Sequence, residues 1–599
     1  MAKKYIDVMD TTFRDGFQSV FGGRVLMEDF FPAVEAAKKA GINHFEFGGG
    51  ARFQSLFFYL QENAFDMMDK FREIVGPEAN LQVLSRGINT VMLDTGSREM
   101  IDLFAKMFAK HGTTTVRNFD ALNDVNNLAY SASCVKKHGM NHEAVITMMD
   151  LPPGCKGAHD VAFYEKTLRG MLDAGIEFDS LCFKDASGTA NPNKVYETIS
   201  MARKLLGEEV HLRLHTHETA GVSVASYLAA LEAGANGIDM AASPVSGGTS
   251  QPDILTMLHA TKGTNYNLGD LELSKILKYE ERLQECLAEY MIPPEATQVS
   301  PLIPFSPMPG GALTANTQMM RDDDSLDKFD EVIAEMKEVV ERGGYGTSVT
   351  PVSQFYWQQA YANVMFGKWK QIAPGYGRMV LGYFGNTPVE PDAEIVKLAS
   401  EKLKLEPTTE NPLDHADKEV TKSIAYWKKV LEDEELEISE ENIFIAAACD
   451  QKGIAFLKGE SPLMVRKGKN NRNCGEEEMS GNYTVVVDGK QYSVQVAEGD
   501  GDIQITPSTT ATTPVATPSA TPAVAGGKGS IEINSQTPGN VWKILKAPGD
   551  SVNEGEQIMI LEAMKMEIDI VAEKSGVIKS IEVNTNDAVV DGQLLATME

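Results

Sequence analysis

Cysteine is scarce in this sequence: six residues in 599, with no Cys-x-x-Cys pair. A chain of this length buries enough apolar surface to need no covalent staples. Disulfide scaffolds are excluded, and a reducing cytoplasm is the expected compartment. No run of 18 apolar residues occurs, so no membrane-spanning helix is expected. The N-terminal MAKKYIDVMD lacks the apolar stretch of a signal peptide. Positive charge is short too. Against 85 Asp and Glu stand 55 Lys and Arg, a formal net charge of −30. That excludes nucleic acid and anionic membrane surfaces as partners. A site for an anionic substrate must then supply its own local cations. No GxGxxG follows the first strand-like run, which disfavours a dinucleotide-binding open sheet.

What is present is alternation. Short apolar runs recur at YIDVMD (5–10), HFEFGG (44–49), LQVLSR (81–86), TTVRNF (114–119), AVITMM (144–149), SLCFKD (180–185), HLRLHT (211–216) and GIDMAA (237–242). Helix-period stretches such as EDFFPAVEAAKKAG lie between them. Eight strands alternating with helices over about 250 residues predict an α/β fold, a (β/α)8 TIM barrel. From about 265 to 465 the pattern is mostly helical and reads as an extension folded onto the barrel mouth. YTVVVDGKQYSVQV (483–496) is two alternating runs about an Asp-Gly turn, hence a β-hairpin and a candidate docking patch. Residues 503–528, IQITPSTTATTPVATPSATPAVAGGK, cannot bury a core. As a flexible linker they would span about 28 Å as a coil and roughly 80 Å when extended.

In such a barrel the C-terminal strand ends carry the chemistry. The first strand ends in DTTFRDGFQS, with Arg14, Asp15 and Gln18; the third in Arg86; the sixth in Lys184-Asp185; the seventh in His215-Thr216-His217. Residues i and i+2 of a strand point the same way, so both imidazoles can reach one ion, with Asp15 adding an oxygen. This N/O set suits a divalent metal: Zn, Mn or Co.

The C-terminal segment contains a repeat. GNVWKILKAPGDSVNEGEQIMILE (539–562) matches GVIKSIEVNTNDAVVDGQLLATME (576–599) without a gap, at Gly539/Gly576, Asp550/Asp587 and Gly555/Gly592 among others. Two quasi-symmetric copies of short strands and tight turns predict a small all-β domain. Between the copies lies LEAMKMEI, with Lys565 between two methionines where a hairpin would turn. EAMKM resembles the attachment motif of biotin carrier domains. The resemblance implies biotin in amide linkage on Lys565, attached by a biotin protein ligase.

The barrel is similar to the carboxyltransferase domains of pyruvate carboxylase, oxaloacetate decarboxylase α subunits and transcarboxylase. The resemblance runs through DTTFRDGFQS, LSRGINTV, VRNFDALNDVNNL, FKDASG, RLHTHETAG, GGTSQPD, MPGGALTANT and GTSVTPVSQ. It implies five units: a barrel (1–264), a helical extension (265–465), a loop with a hairpin (466–502), the linker (503–528) and a biotinyl domain (529–599). It implies a metal held by Asp15, His215, His217 and Lys184, the last as a carbamate. Arg86, Arg14 and Gln18 would hold a 2-oxo acid, with Arg86 also facing the enolate, and Thr350 would shuttle a proton. The implied reaction moves a carboxyl group between biotin and pyruvate or oxaloacetate. No ATP-binding segment of a biotin carboxylase is visible. The chain is therefore expected to work with a separate biotin carboxylase subunit, as the B-type subunit of a two-chain pyruvate carboxylase, and as a homo-oligomer. With an integral membrane decarboxylase subunit instead, it would be the α subunit of a sodium-pumping oxaloacetate decarboxylase.

Two stretches depart from the family pattern. RDGFQS stands where RDAHQS is usual, and FGGGARFQ (47–54) where WGGATFD is usual, so that Arg52 and Gln54 replace a Thr and an Asp. A changed pocket rim is therefore expected, and 2-oxoglutarate stands as an alternative substrate. RDG with HxH is also shared with hydroxymethylglutaryl-CoA lyase and isopropylmalate synthase, but that reading leaves Lys565, the linker and VTPVSQ unexplained.

Overall fold

A computed structural model describes residues 3–468 apart from 270 and 323, the strand pair 481–487 and 490–496, and 529–599 apart from 536, 538, 564, 565, 586 and 591. Lys565 and the linker 503–528 lie outside the described residues.

Eight parallel strands close into a barrel: β1 (Asp7–Asp10), β2 (His44–Gly49), β3 (Asn80–Ser85), β4 (Thr115–Asn118), β5 (Asn141–Thr147), β6 (Ser180–Asp185), β7 (His211–Thr216) and β8 (Gly237–Met240). Each coincides with one of the eight runs read from the sequence, with ends shifted by a few residues. β8 returns to pair with β1 in register, Asp7 beside Gly237 and Asp10 beside Met240. The crossover helices begin where the sequence places caps. Ser97, Asp160 and Asn191 accept hydrogen bonds from the backbone N–H of Met100, Phe163 and Lys194, and Pro192 opens the last of these helices. The helix Met27–Lys39 buries Phe30, Ala33, Val34 and Ala37, one stripe of a 3.6-residue period.

The helical extension divides its packing between two places. The helix Leu273–Cys286 lies on the flank of the barrel beside Met27–Lys39, and its Tyr279 hydroxyl donates to Asp10 at 2.7 Å. The helix Glu440–Leu457 also packs on the flank, inserting Phe444 among Phe53, Phe65, Phe104 and Phe108. The helices Gly310–Asp322 and Val352–Phe366 are the part that covers the mouth, over an apolar layer that includes Leu84, Val145, Met149, Met308 and Leu313. The expectation that the whole extension caps the mouth thus holds for its central segment only. Among the described residues no helix is long and apolar enough to cross a membrane.

Beyond the extension, β9 (Gly481–Val487) pairs antiparallel with β10 (Lys490–Val496), the expected hairpin. The C-terminal domain holds β11 (Ile531–Asn534), β12 (Gly539–Ile544), β13 (Ser551–Val552), β14 (Gln557–Ala563), β15 (Met566–Val571), β16 (Gly576–Ile581), β17 (Ala588–Val589) and β18 (Leu594–Met598). They form two four-stranded sheets, β11-β18-β16-β13 and β15-β14-β12-β17. The sequence repeat is the symmetry of the fold. Adding the repeat offset of 37 (576 − 539) to β12 and β13 yields β16 and β17, adding it to the first residue of β14 yields the first of β18, and adding it to β11 yields residues within β15. The turns obey it as well. Asp550 accepts from Ala547 N at 2.8 Å and Asp587 from Asn584 N at 2.7 Å. Gly555 N donates to Ala572 O, and Gly592 N to Ser535 O, both at 2.8 Å. β14 and β15 pair up to Ala563 and Met566, the ends of the hairpin in which Lys565 lies by sequence.

Candidate active site

The barrel lumen is charged, unlike the layers of Val, Ile and Leu that commonly fill such barrels. Arg117 of β4 reaches Glu143 Oε1 and Asp239 Oδ2, both at 2.5 Å. Arg213 of β7 donates to Asp239 Oδ1 at 2.9 Å, approaches Glu143 at 3.4 Å and pairs with Asp7. A buried charge left without its partner is costly, and the charges of this network all have partners. Burial alone would raise the carboxyl of Asp239, but Arg117, His215 and Arg213 hold it well below the usual range.

On this network stands a cluster of three buried groups: Asp15, His215 and His217. His215 Nδ1 donates to Asp239 Oδ2 at 2.8 Å, and His217 Nδ1 donates to the carbonyl of Thr249 at 2.7 Å. Both imidazoles then turn Nε2 inward, 3.1 Å from each other and 3.2 and 3.4 Å from Asp15 Oδ2. Three electron-rich atoms converge here in a buried pocket, and a cation among them would offset their mutual repulsion. The separations fit such an ion. Bonds of about 2.1 Å give ligand–ligand edges of about 3.0 Å in an octahedron and 3.4 Å in a tetrahedron. The oriented second nitrogens are what metal-binding histidines ordinarily require. The donor set therefore fits a divalent metal. Lys184 Nζ lies 2.8 Å from His215 Nε2 and 3.8 Å from Asp15 Oδ2. Burial lowers its pKa, though Asp15 opposes the shift. Carbon dioxide adds to the neutral amine, so the shift lies in the direction that carbamate formation needs.

Around the cluster the other expected residues take distinct places. Arg14 is buried and engaged, 2.6 Å from Glu46 Oε1 and 3.1 Å from Asp15 Oδ2. Gln18 Oε1 accepts from the backbone N–H of Ala51 and Arg52 at 3.1 and 3.3 Å. Arg86 differs from Arg14. Its Nη1 donates to the carbonyls of Val91 and Met92, its Nε is buried without a partner, and no carboxylate among the described residues pairs with it. Burial, with Arg14 nearby, pushes its pKa down to about 9. Thr350 is half-buried in the segment that crosses the strand ends. There Thr347 N donates to Ala121 O at 2.8 Å, and the Thr347 hydroxyl meets that of Thr147 at 2.7 Å.

Arg52 and Gln54 are not on the rim. Arg52 is fully buried, donating to the carbonyls of Gly23 and Val25, while Gln54 donates to Ala448 O at 2.7 Å. They fasten a loop and the flanking helix Glu440–Leu457, so the rim change expected from them is not found. Sequence reasoning missed Asp239, Thr249, Glu46 and Gln251, whose Nε2 donates to Asp15 Oδ2 at 3.2 Å. Asp239 left one signal: a lone carboxylate between apolar neighbours in GIDMAA, where only the lumen could receive it.

Three family models match the chain: one described as HMGL-like over residues 5–279, one as a conserved carboxylase domain over 303–497, and one as a biotin-requiring enzyme over 531–598. The B-type subunit of pyruvate carboxylase from Methanocaldococcus jannaschii is 30% identical over 567 residues, covering 94% of this chain and 94% of its own. The 2-oxoglutarate carboxylase large subunit of Hydrogenobacter thermophilus is 28% identical, covering 95% of this chain and 91% of its own. The solved carboxyl transferase domain of Rhizobium etli pyruvate carboxylase with oxamate and biotin superposes with a TM-score of 0.68 at 25% identity, over 77% of this chain and 79% of that one. Barrel, mouth cluster and C-terminal domain together define a biotin-dependent carboxyltransferase with its carrier on the same chain. The chain belongs to the family that contains the B-type subunits of pyruvate carboxylase. Its cofactors are biotin and a divalent metal.

Proposed function

We propose that this chain is the carboxyltransferase and carrier half of a two-chain pyruvate carboxylase, working in the cytoplasm with a separate ATP-dependent biotin carboxylase. The observation that carries the reading is Arg86, a buried guanidinium left without a carboxylate at the mouth that also holds Asp15, His215 and His217. An unpaired buried cation calls for an anion, and a 2-oxo acid brings one. Arg86 would bind the substrate carboxylate or the developing enolate oxygen. Arg14, held by Glu46, and Gln18 would complete the wall. A divalent ion on Asp15, His215, His217 and carbamylated Lys184 would polarise the keto group when bound. The Thr350 hydroxyl would carry one proton between the substrate methyl carbon and the ring nitrogen of biotin. Carboxylation and decarboxylation share this path, so ligase or lyase outcome rests with the partner. Lys565 would carry the biotin between the two active sites.

Full-length biotinylated chain is tested for avidin-sensitive carboxyl exchange with pyruvate, oxaloacetate and 2-oxoglutarate. Turnover of the first two is expected, and its absence would overturn the substrate assignment. The 2-oxoglutarate alternative is favoured by the similarity to the Hydrogenobacter large subunit. Streptavidin capture from native extract, membranes included, identifies the partner. A soluble ATP-binding chain supports the proposal; a polytopic membrane protein would make this the α subunit of an oxaloacetate decarboxylase.

A further inference from the structure

The loop after β8, Gly247–Gln251, is gripped from two sides. On the barrel side, the Thr249 hydroxyl donates to Ser19 O at 3.0 Å. On the extension side, Thr249 N donates to Ala296 O at 3.0 Å, and the Thr314 hydroxyl lies 3.4 Å from that of Thr249. The extension helix Gly310–Asp322 sets its first residue directly on this loop. A Cβ at Gly310 would stand 1.7 Å from the carbonyl oxygen of Thr249, 2.6 Å from its carbon and 3.0 Å from its Cα. Those are backbone atoms, which no rotamer change can move aside. Gly310 is not in the left-handed region, so the need for glycine here is purely steric. Its neighbour Gly311 is different: a Cβ there would come no closer than 3.4 Å, to the flexible side chain of Gln18.

The Thr249 carbonyl is also the acceptor for His217 Nδ1, at 2.7 Å. That bond fixes which nitrogen of His217 carries the proton and which faces Asp15 and His215. We infer that Gly310 is a positioning residue for the metal centre: by letting the extension helix seat on Thr249, it holds the carbonyl that orients His217. The inference rests on the metal reading above. It makes the extension part of the metal centre, although all three clustered side chains come from the barrel.

The test compares full-length wild type, Gly310→Ala and Gly311→Ala by Co(II) titration, reading affinity and the visible absorption of bound cobalt. Both substitutions add the same methyl group to the same helical turn. Loss of an orienting partner weakens metal binding by about 10- to 100-fold. Gly310→Ala should show that loss with a shifted cobalt spectrum, while Gly311→Ala stays within about twofold of wild type. The same substitution is made in a His217→Ala background, where the carbonyl has no imidazole to hold. There Gly310→Ala should change Co(II) affinity by less than about twofold, since coupled pairs depart from additivity. Equal losses in both backgrounds would mean general misfolding and overturn the inference. Unaltered binding and spectrum in Gly310→Ala would overturn it alone, leaving the metal reading intact. A wild-type chain that binds no Co(II) would overturn the metal reading, and the inference with it.

Discussion

Asp239→Asn tests whether the charged lumen serves the mouth. One carboxylate receives His215 Nδ1 at 2.8 Å, Arg117 Nη1 at 2.5 Å and Arg213 Nη1 at 2.9 Å, all fully buried. Asparagine keeps the shape but removes the charge and turns an amide donor toward groups that are themselves donors. Breaking a buried ion pair costs about 3–5 kcal/mol. Arg117 and Arg213 both keep Glu143, so the lower end, about 3 kcal/mol, is expected here. The local effect is separate. His215 must then share one neutral amide oxygen with the two arginines or face the amide NH2, so the bond that fixes its tautomer weakens, which predicts metal binding weaker by about 10- to 100-fold, or about 1.4–2.7 kcal/mol. Unfolding of a multidomain chain does not yield one well-defined free energy. The decisive assay is therefore Co(II) titration of the folded protein at low temperature, with the melting temperature measured alongside. A lowered melting temperature with unchanged metal affinity would refute the argument, leaving Asp239 as a counter-charge for the arginines only.

Lys184→Ala should abolish carboxyl exchange. A carbamate resonance from carbon-13 bicarbonate should appear in wild type and be missing from the variant; its absence from wild type would remove Lys184 from the ligand set. Arg86→Gln should raise KM for the 2-oxo acid and lower kcat/KM by about 10- to 100-fold, since a hydrogen bond to a charged group is worth about 1.5–3 kcal/mol; unaltered steady-state kinetics would count against it. Glu62 accepts from Met27 N–H, and burial pushes its carboxyl up to about 7, with Asp29 and Glu28 adding to the rise against that hydrogen bond and Arg52. A raised folded pKa gives stability that is present below the ordinary glutamate pKa and lost as pH rises through about 7. Glu62→Gln keeps the acceptor without the charge, so it should melt above wild type at pH 8 and with it at pH 4, the gain being at most about 3 kcal/mol. Equal melting at both pH values would refute the assignment.

The barrel was legible because its strands are short apolar runs at regular spacing, and the carrier because its repeat is gapless. The grouping of Asp15, His215 and His217 was also legible, since the two histidines share a strand end and Asp15 follows the first strand. The orienting partners were not legible. Thr249 acts through a backbone carbonyl, which no side-chain pattern reports, and Gln251 sits in a loop whose path the extension sets. Arg52 misled for a related reason. A guanidinium three residues past a strand end reads as a mouth cation, yet Gly23 and Val25 offered carbonyls on the other side. The direction of a long side chain depends on acceptors remote in sequence.

The charged lumen has a cost that an apolar core would avoid, because buried ion pairs often stabilise less than hydrophobic replacements of similar volume. Its retention is explained by what an apolar layer cannot do. His215 needs an acceptor directly beneath it, and in the middle of a barrel that acceptor must come from a neighbouring strand. Asp239 on β8 supplies it, and Arg117 and Arg213 keep the carboxylate ionised. Glu143 then balances both guanidiniums. Each charge below the mouth is thus required by the one above it, and the sequence of demands ends at the imidazole that faces Asp15. The polar lumen thus serves to hold one nitrogen in place, which ties the buried ion-pair network to the chemistry at the mouth.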